Sequence, residues 1–138
     1  MLAAMIPIGT ALQTTGVSDL IAASISQYAA DLEIFWILLI ILIVTMATTD
    51  IINNAATAVI MAPISSGIAM ELGYAIEPFL MVVAVGASCA FLTPIGHQCN
   101  TVVMGPGNYK FTDYWRMGLP MDILIIIATI PMILFVWT

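Results

Sequence analysis

The residues able to do chemistry are crowded into two short stretches of an otherwise apolar chain. The first is Thr48-Thr49-Asp50-Ile51-Ile52-Asn53-Asn54-Ala55-Ala56-Thr57, set between apolar runs at 34–47 and 58–64. The second is Thr93-Pro94-Ile95-Gly96-His97-Gln98-Cys99-Asn100-Thr101. Hydroxyl, carboxamide and carboxylate groups in such surroundings cost several kcal/mol each unless they find partners. Either the protein satisfies them internally or a ligand does. Neither stretch contains Lys or Arg, so an anion held here would rest on amides, hydroxyls and helix dipoles, and a cation on oxygen atoms.

The elements that must position these groups follow from composition. Of 138 residues, 62% are hydrophobic and only 7% are charged, against roughly 25% charged in a soluble domain. Such a chain cannot cover a water-facing surface, and it reads as an integral membrane protein. Two cations, Lys110 and Arg116, stand against eight acids, for a net charge of −6; with no basic patch to neutralise phosphates, nucleic acid is excluded as a partner. Cys89 and Cys99 are ten apart with apolar flanks, which is not a metal-ligand spacing. They read as buried thiols, and the ten methionines as core packing. The start, Met1-Leu2-Ala3-Ala4-Met5-Ile6, lacks the basic region of a cleavable signal peptide. It is expected to be the inside of a helix already under way, in a piece of something larger.

Taken in order, residues 1–32 should hold a partial transmembrane helix bent at Pro7 and Gly9, then a short arm helix capped by Ser18 and lying in the membrane interface. Residues 33–70 should form a re-entrant hairpin. Its first arm is about 17 residues, roughly 25 Å. Its second runs from Thr57 for about 14, roughly 21 Å, short of a hydrocarbon core of roughly 30 Å. Residues 78–107 should be a discontinuous transmembrane helix that starts at Pro78, runs to Leu92, breaks at the second polar stretch and resumes at Val102. A C-terminal transmembrane helix should cover 119–138. The two cations lie in the connector before it, which places that connector in the cytoplasm and the acidic turn with Glu71 and Glu77 outside. The fold class is therefore all-α membrane.

Irregular backbone at membrane depth is tolerated only inside protein or along a watery cavity. Each break leaves one helix C-terminus and one helix N-terminus. The C-terminal ends, near 49–52 and 92–93, offer carbonyls suited to a hard cation such as Na⁺. The N-terminal ends, near 55–57 and 100–101, offer N–H groups suited to an anion. A cation seat beside an anion seat is the arrangement of a secondary transporter.

Thr49-Asp50-Ile51-Ile52-Asn53-Asn54-Ala55-Ala56-Thr57-Ala58, followed by Pro63-Ile64, resembles the second Ser-Asn-Thr hairpin motif of the divalent anion/sodium symporter family, within the wider ion transporter superfamily. Phe91-Leu92-Thr93-Pro94 through Asn100-Thr101-Val102, then Gly105-Pro106-Gly107, resembles that family's broken-helix Thr-Pro motif. The likeness covers only the C-terminal inverted repeat. It implies a sodium site from Thr49 and Asn54 with backbone carbonyls near Ile52 and Leu92. It also implies a substrate seat at Asn53, Asn54 and Ala55 faced by Thr93 and Pro94, with Asn100 and Thr101 from the second break. Asn stands at 53 where the family has Ser, Ala stands at 55 where it has Thr, and the break after Pro94 is longer. Losing the hydroxyl at 55 turns the expectation from dicarboxylates towards a sulfate-like oxyanion.

The family further implies a homodimer, an elevator-like movement and a bacterial-type inner membrane. The expected partners are a small anion, membrane lipid and the missing N-terminal repeat; no cofactor beyond sodium is expected. Asp50 and His97 are candidates for ion coupling, although Asp50 can equally cap amides, and Asn53 and Asn54 can equally cap the turn. His97 reads better as a hydrogen-bonded filler of the longer break than as a titrating group. A proton-coupled or uncoupled carrier and a non-transporting fragment stay open. An intramembrane hydrolase does not, because Asp50 has no second acid placed beside it in the sequence and no nucleophile–base pair can be argued.

Overall fold

The computed structural model describes residues 7, 11, 14–29 and 32–137, which are helical throughout apart from turns and one long break. The expected helix at 1–13 lies almost wholly outside them. Among the described residues six helices follow one another: α1 (Val17–Ala29), α2 (Ile34–Ile51), α3 (Asn54–Leu72), α4 (Ile76–Ser88), α5 (Gln98–Met104) and α6 (Phe111–Trp137). No strand occurs among the described residues. Helices α2, α3 and α6 are long and apolar enough to cross a membrane, and α4 is a shorter apolar helix.

Gly16, at φ 69°, takes the left-handed conformation that separates α1 from what precedes it. The Leu20 N–H reaches back to its carbonyl, so α1 begins at Val17 and Ser18 lies inside the helix, not at its expected cap. Leu20, Ile21 and Ile25 face outward while Ala22 is buried. Ala22 packs so close to Gly67 of α3 that a methyl group added there would stand 3.1 Å away.

Between α2 and α3 only Ile52 and Asn53 are extended, and the Asn53 side chain accepts the Ala56 N–H at 2.9 Å, starting α3 at Asn54. Pro63, Ser65, Ser66 and Gly67 do not break it. Ser65 Oγ donates to Phe79 O at 3.1 Å and Ser66 Oγ to Pro63 O at 2.9 Å, so neither hydroxyl is left in search of a partner. Helix α3 then ends at Gly73, φ 73°, with the Tyr74 N–H returned to Ala69 O in a Schellman-type closure. The arms thus have 18 and 19 residues, or roughly 27 and 28 Å. The shortness inferred for the second arm is corrected, because helix begins three residues earlier than Thr57 and ends later.

Helix α4 stops at Ser88, four residues before the expected end at Leu92. The cause lies in what captures its continuation: Asn100 Nδ2 takes the Ala90 carbonyl at 2.9 Å and Asp50 Oδ1 takes the Leu92 N–H at 3.1 Å. Pro94 has no N–H to offer. Helix α5 resumes at Gln98 rather than Val102, because His97 Nδ1 caps the Cys99 N–H. Helix α6 also starts early, at Phe111, where Asp113 Oδ2 accepts the Lys110 N–H at 2.8 Å, so Arg116 is a helical residue and not part of the connector.

The core gathers on α4. Its Phe79, Val82 and Val83 pack with Leu38, Ile41 and Leu42 of α2, Ile64 and Ile68 of α3, and Ile130 and Ile133 of α6. Helices α2 and α3 each touch α4 more than they touch one another, which brings the turn between them against the break that follows α4.

Candidate functional site

Thr49, fully buried at the end of α2, donates its hydroxyl to Ala87 O at 3.0 Å. Asn54 sits directly beyond, at the first position of α3. With its amide turned so that Nδ2 faces inward it donates to Thr49 Oγ1 at 2.9 Å, Gly96 O at 3.1 Å and Ala87 O at 3.2 Å. Turned the other way, Asn54 Oδ1 would face the same oxygens with no hydrogen between it and the two carbonyls. Three acceptors from three parts of the chain therefore converge on one carboxamide: the end of α2, the last turn of α4 and the break. A cluster of neutral oxygens of this kind suits a hard monovalent cation, and Asn54 can present either a donor or a fourth oxygen to it.

Gly96 makes the approach possible. A Cβ on it would lie 2.7 Å from Ala90 Cβ and 2.8 Å from Thr49 O. Its neighbour Thr93 ties the two breaks together, donating to Asp50 O at 2.5 Å and accepting the Gly96 N–H at 3.2 Å. Asp50 is 4% exposed; one oxygen accepts the Leu92 N–H, and Oδ2 has no partner among the described residues.

The start of α3, beyond the Asn54 carboxamide, is built differently. Asn53 Oδ1 is used as the cap of α3, which leaves the N–H groups of Asn54 and Ala55 as the first-turn donors without an intrahelical acceptor. Ala55 is half-buried beside them. Pro94 is buried, and its carbonyl accepts the Thr101 hydroxyl at 2.6 Å. Asn100 bonds the carbonyls of Ala90 and Thr93, at 2.9 and 3.4 Å, and its own carbonyl accepts the Tyr114 hydroxyl at 2.7 Å. Asn100 and Thr101 thus hold the shape of the break with their side chains. His97 is exposed, with Nδ1 committed to the cap of α5.

Leu92, expected to bring a carbonyl from a helix end, brings an N–H to Asp50 instead, since α4 has already ended; the carbonyls that meet Asn54 are those of Ala87 and Gly96. Ile52 lies at the surface of the turn. Sequence reasoning passed over Gly96, whose place beside a helix-breaking proline was the available signal. It also passed over Asp122, a buried acid in the apolar stretch of α6, where an intramembrane carboxylate is itself a signal.

The whole chain, residues 1–138, matches the profile of the sodium:sulfate symporter transmembrane region. The chain belongs to that family. It is an integral membrane protein from a family of transporters and not of enzymes. An uncharacterized transporter of Synechocystis sp. is 36% identical over 99% of the chain, which covers 22% of that relative. Sodium/sulfate cotransporter 2 of Chlamydomonas reinhardtii is 30% identical over 92% of the chain, covering 14% of the relative. The sodium-dependent dicarboxylate transporter SdcS of Staphylococcus saprophyticus is 29% identical over 72%, covering 19%. The chain therefore spans about a fifth of the length of the family members it resembles.

Proposed function

We propose that this chain is a C-terminal part of a secondary active transporter that carries a small anion, a sulfate-like oxyanion or a carboxylate, in symport with sodium. The observation that carries the reading is the meeting of Thr49 Oγ1, Ala87 O and Gly96 O at the Asn54 carboxamide. When Na⁺ arrives the amide turns over, so that Oδ1 joins those oxygens and the ion replaces the three N–H contacts. The carbonyl of Ile52, at the end of α2, stands close in sequence to complete the shell. The anion rests on the opposite side of Asn54, against the α3 N-terminus at Asn53, Asn54 and Ala55, with Thr93 and Pro94 across from it and Asn100 and Thr101 bracing the break. Sodium and anion thus share one residue and one helix terminus, and filling the cation seat fixes the donors that the anion needs.

Sulfate is favoured over a dicarboxylate because Ala55 brings no hydroxyl, and the names of relatives include both substrates. The residues on either side of the turn, Asp50 and Asn54, bond to Leu92, Thr93 and Gly96 of the broken segment, which supports a re-entrant hairpin whose tip lies inside the membrane. Hairpin and broken helix move together, elevator fashion, against a scaffold, in a homodimer in a bacterial-type inner membrane.

The test is uptake of labelled sulfate and succinate by the complete protein in proteoliposomes under inward Na⁺ or choline gradients. Wild type takes up anion only with Na⁺, and Asn54→Ala loses at least nine-tenths of that uptake while still reaching the membrane. Uptake by Asn54→Ala equal to wild type would remove the shared residue from the mechanism.

A further inference from the structure

Two carboxylates in the buried part of this molecule each keep an oxygen with no partner among the described residues, and the sodium seat described above uses neither. Asp50 is 4% exposed and its Oδ2 is unbonded; Asp122, on α6, is 8% exposed and its Oδ1 is unbonded. They flank the same peptide. Asp50 Oδ1 accepts the Leu92 N–H. Gly118, one turn before Asp122 on the same face of α6, approaches that peptide so closely that a Cβ would stand 2.6 Å from the Phe91 carbonyl carbon and 3.0 Å from Leu92 N. The two acids lie within electrostatic range of each other and of Cys89, and no hydrogen bond joins them.

An unpaired buried carboxylate is costly, and two of them near each other cost more. The helices packed against α6 are α2 and α4; the titratable groups they bring to Asp122 are Asp50 and, at the end of α4, Cys89, so no cationic side chain faces it among the described residues. Lys110 and Arg116 are exposed at the start of α6. Among the described residues no hydrogen-bond donor reaches either free oxygen, so nothing there offsets its charge. A metal cation needs only lone pairs and, holding hard oxygens at roughly 2.3–2.6 Å, bridges oxygens too far apart to share a proton. A cavity of about 180 Å³, lined by Phe91, Asn100, Tyr114, Met117, Gly118 and Met121, opens beside Gly118 and reaches Met121, the residue before Asp122.

The geometry points to a second alkali-metal cation site, formed by the free oxygens of Asp50 and Asp122 on α2 and α6 and separate from the neutral-oxygen seat at Asn54. It takes Na⁺, and its occupant cancels carboxylate charge that the Asn54 seat leaves in place. Since α6 contributes nothing to the Asn54 seat, an ion here also ties α6 to the turn between α2 and α3.

Thermal stability of the purified complete protein against Na⁺ concentration, with choline keeping ionic strength constant, counts bound ions. Above saturation the rise in melting temperature per tenfold increase in ligand is proportional to the number of sites filled. Asp122→Asn is expected to halve the wild-type slope, Asn54→Ala to halve it independently, and the double variant to abolish it. Asp122→Glu keeps a carboxylate and is expected to keep the full slope with a shifted midpoint, which separates loss of the ion from loss of the fold. A wild-type slope in Asp122→Asn, or loss of the entire slope in Asn54→Ala alone, overturns the second site. So does a variant whose pH response vanishes while its Na⁺ slope stays, since that assigns a proton to the pair. An unchanged slope in Asn54→Ala with the slope abolished in Asp122→Asn counts instead against the seat at Asn54 and leaves the carboxylate site standing.

Discussion

Asn54 holds its position because a carboxamide is the one neutral side chain that can offer either a donor or an acceptor from the same place. In the ion-free arrangement three oxygens receive its Nδ2; if the side chain were lost, Thr49 Oγ1 and Ala87 O would keep only the bond between them, and Gly96 O would lose the donor Asn54 gives it. The neighbouring constraint is on Gly96, whose carbonyl is one of those oxygens and whose α-carbon touches Thr49 O and Ala90. Gly96→Ala inserts a methyl group 2.8 Å from the Thr49 carbonyl and 2.7 Å from Ala90 Cβ, and neither backbone oxygen nor a methyl of the break can rotate away. Overpacking of this sort costs about 1–3 kcal/mol, and the strain falls on the carbonyl that faces Asn54. The half-saturating Na⁺ concentration for uptake should therefore rise by roughly tenfold or more, with anion affinity at saturating Na⁺ much less affected. Equal losses in both at every Na⁺ concentration would point to general distortion of the break. Glycine at this position was visible in the sequence, but its partner was not: nothing in the order of residues says that the chain at 96 returns to touch the chain at 49.

At the scale of helices, α2 and α4 form the frame on which the two breaks meet. Their backbones come together at Gly86, where a Cβ would stand 3.0 Å from Thr45 Cβ and 3.2 Å from Leu42 Cδ1. Thr45 is fully buried with its hydroxyl turned back to Ile41 O at 2.6 Å, so it presents its methyl to that contact. Gly86→Val should push α2 off α4 one turn before Ala87 and Thr49, lowering stability by about 1–3 kcal/mol and weakening sodium-dependent uptake; thermal melts with and without Na⁺ read both effects. The existence of these helices, their apolar faces and the two polar interruptions were legible in the sequence, because runs of Ile, Leu and Val with few charges admit little else. The boundaries were not. Asn53 as a cap lengthened α3 at its start, and Ser65 is satisfied by bonding across to α4. Asn100 and Asp50 shortened α4 by seizing backbone groups that a continuous helix would have used. The Asn53 cap is local, but the Ser65 and Asp50 bonds join separate segments of the chain, which neither propensity nor periodicity encodes. The same holds for the candidate site: Thr49, Asp50 and Asn54 were readable from their type and spacing, whereas Ala87 and Gly96 enter through carbonyls that every residue possesses.

For the molecule as a whole, the surface is the informative part. Leu124, Ile127, Met132 and Phe135 of α6 are exposed, as are Ile40, Ile43 and Val44 of α2; lipid or the remainder of a longer transporter must cover them, as the share of each relative that the chain spans makes plain. Apart from Asp122, the charges among the described residues sit near the ends of the helices. Glu71 and Glu77 flank the turn from α3 to α4, while Lys110 and Arg116 bracket the start of α6. Basic residues near helix ends stay on the cytoplasmic side, so the two turns should lie on opposite faces of the membrane, with α4, the break and α5 crossing between them. Single cysteines test this in the complete protein once Cys89 and Cys99 are replaced by alanine. Tyr74→Cys should react with an impermeant thiol reagent added to intact cells, and Asn108→Cys only after the membrane is opened. Ile52→Cys separates a re-entrant hairpin from two full crossings. In the hairpin its labelling from outside should be slow and blocked further by Na⁺ with sulfate, because the tip lies beside the occupied seat. With two crossings it should label rapidly from the inner face alone, whether or not substrate is present. That second pattern would place the Asn53–Asn54 turn at the headgroups, where water competes for every oxygen around Asn54 and a neutral seat for sodium has little holding power.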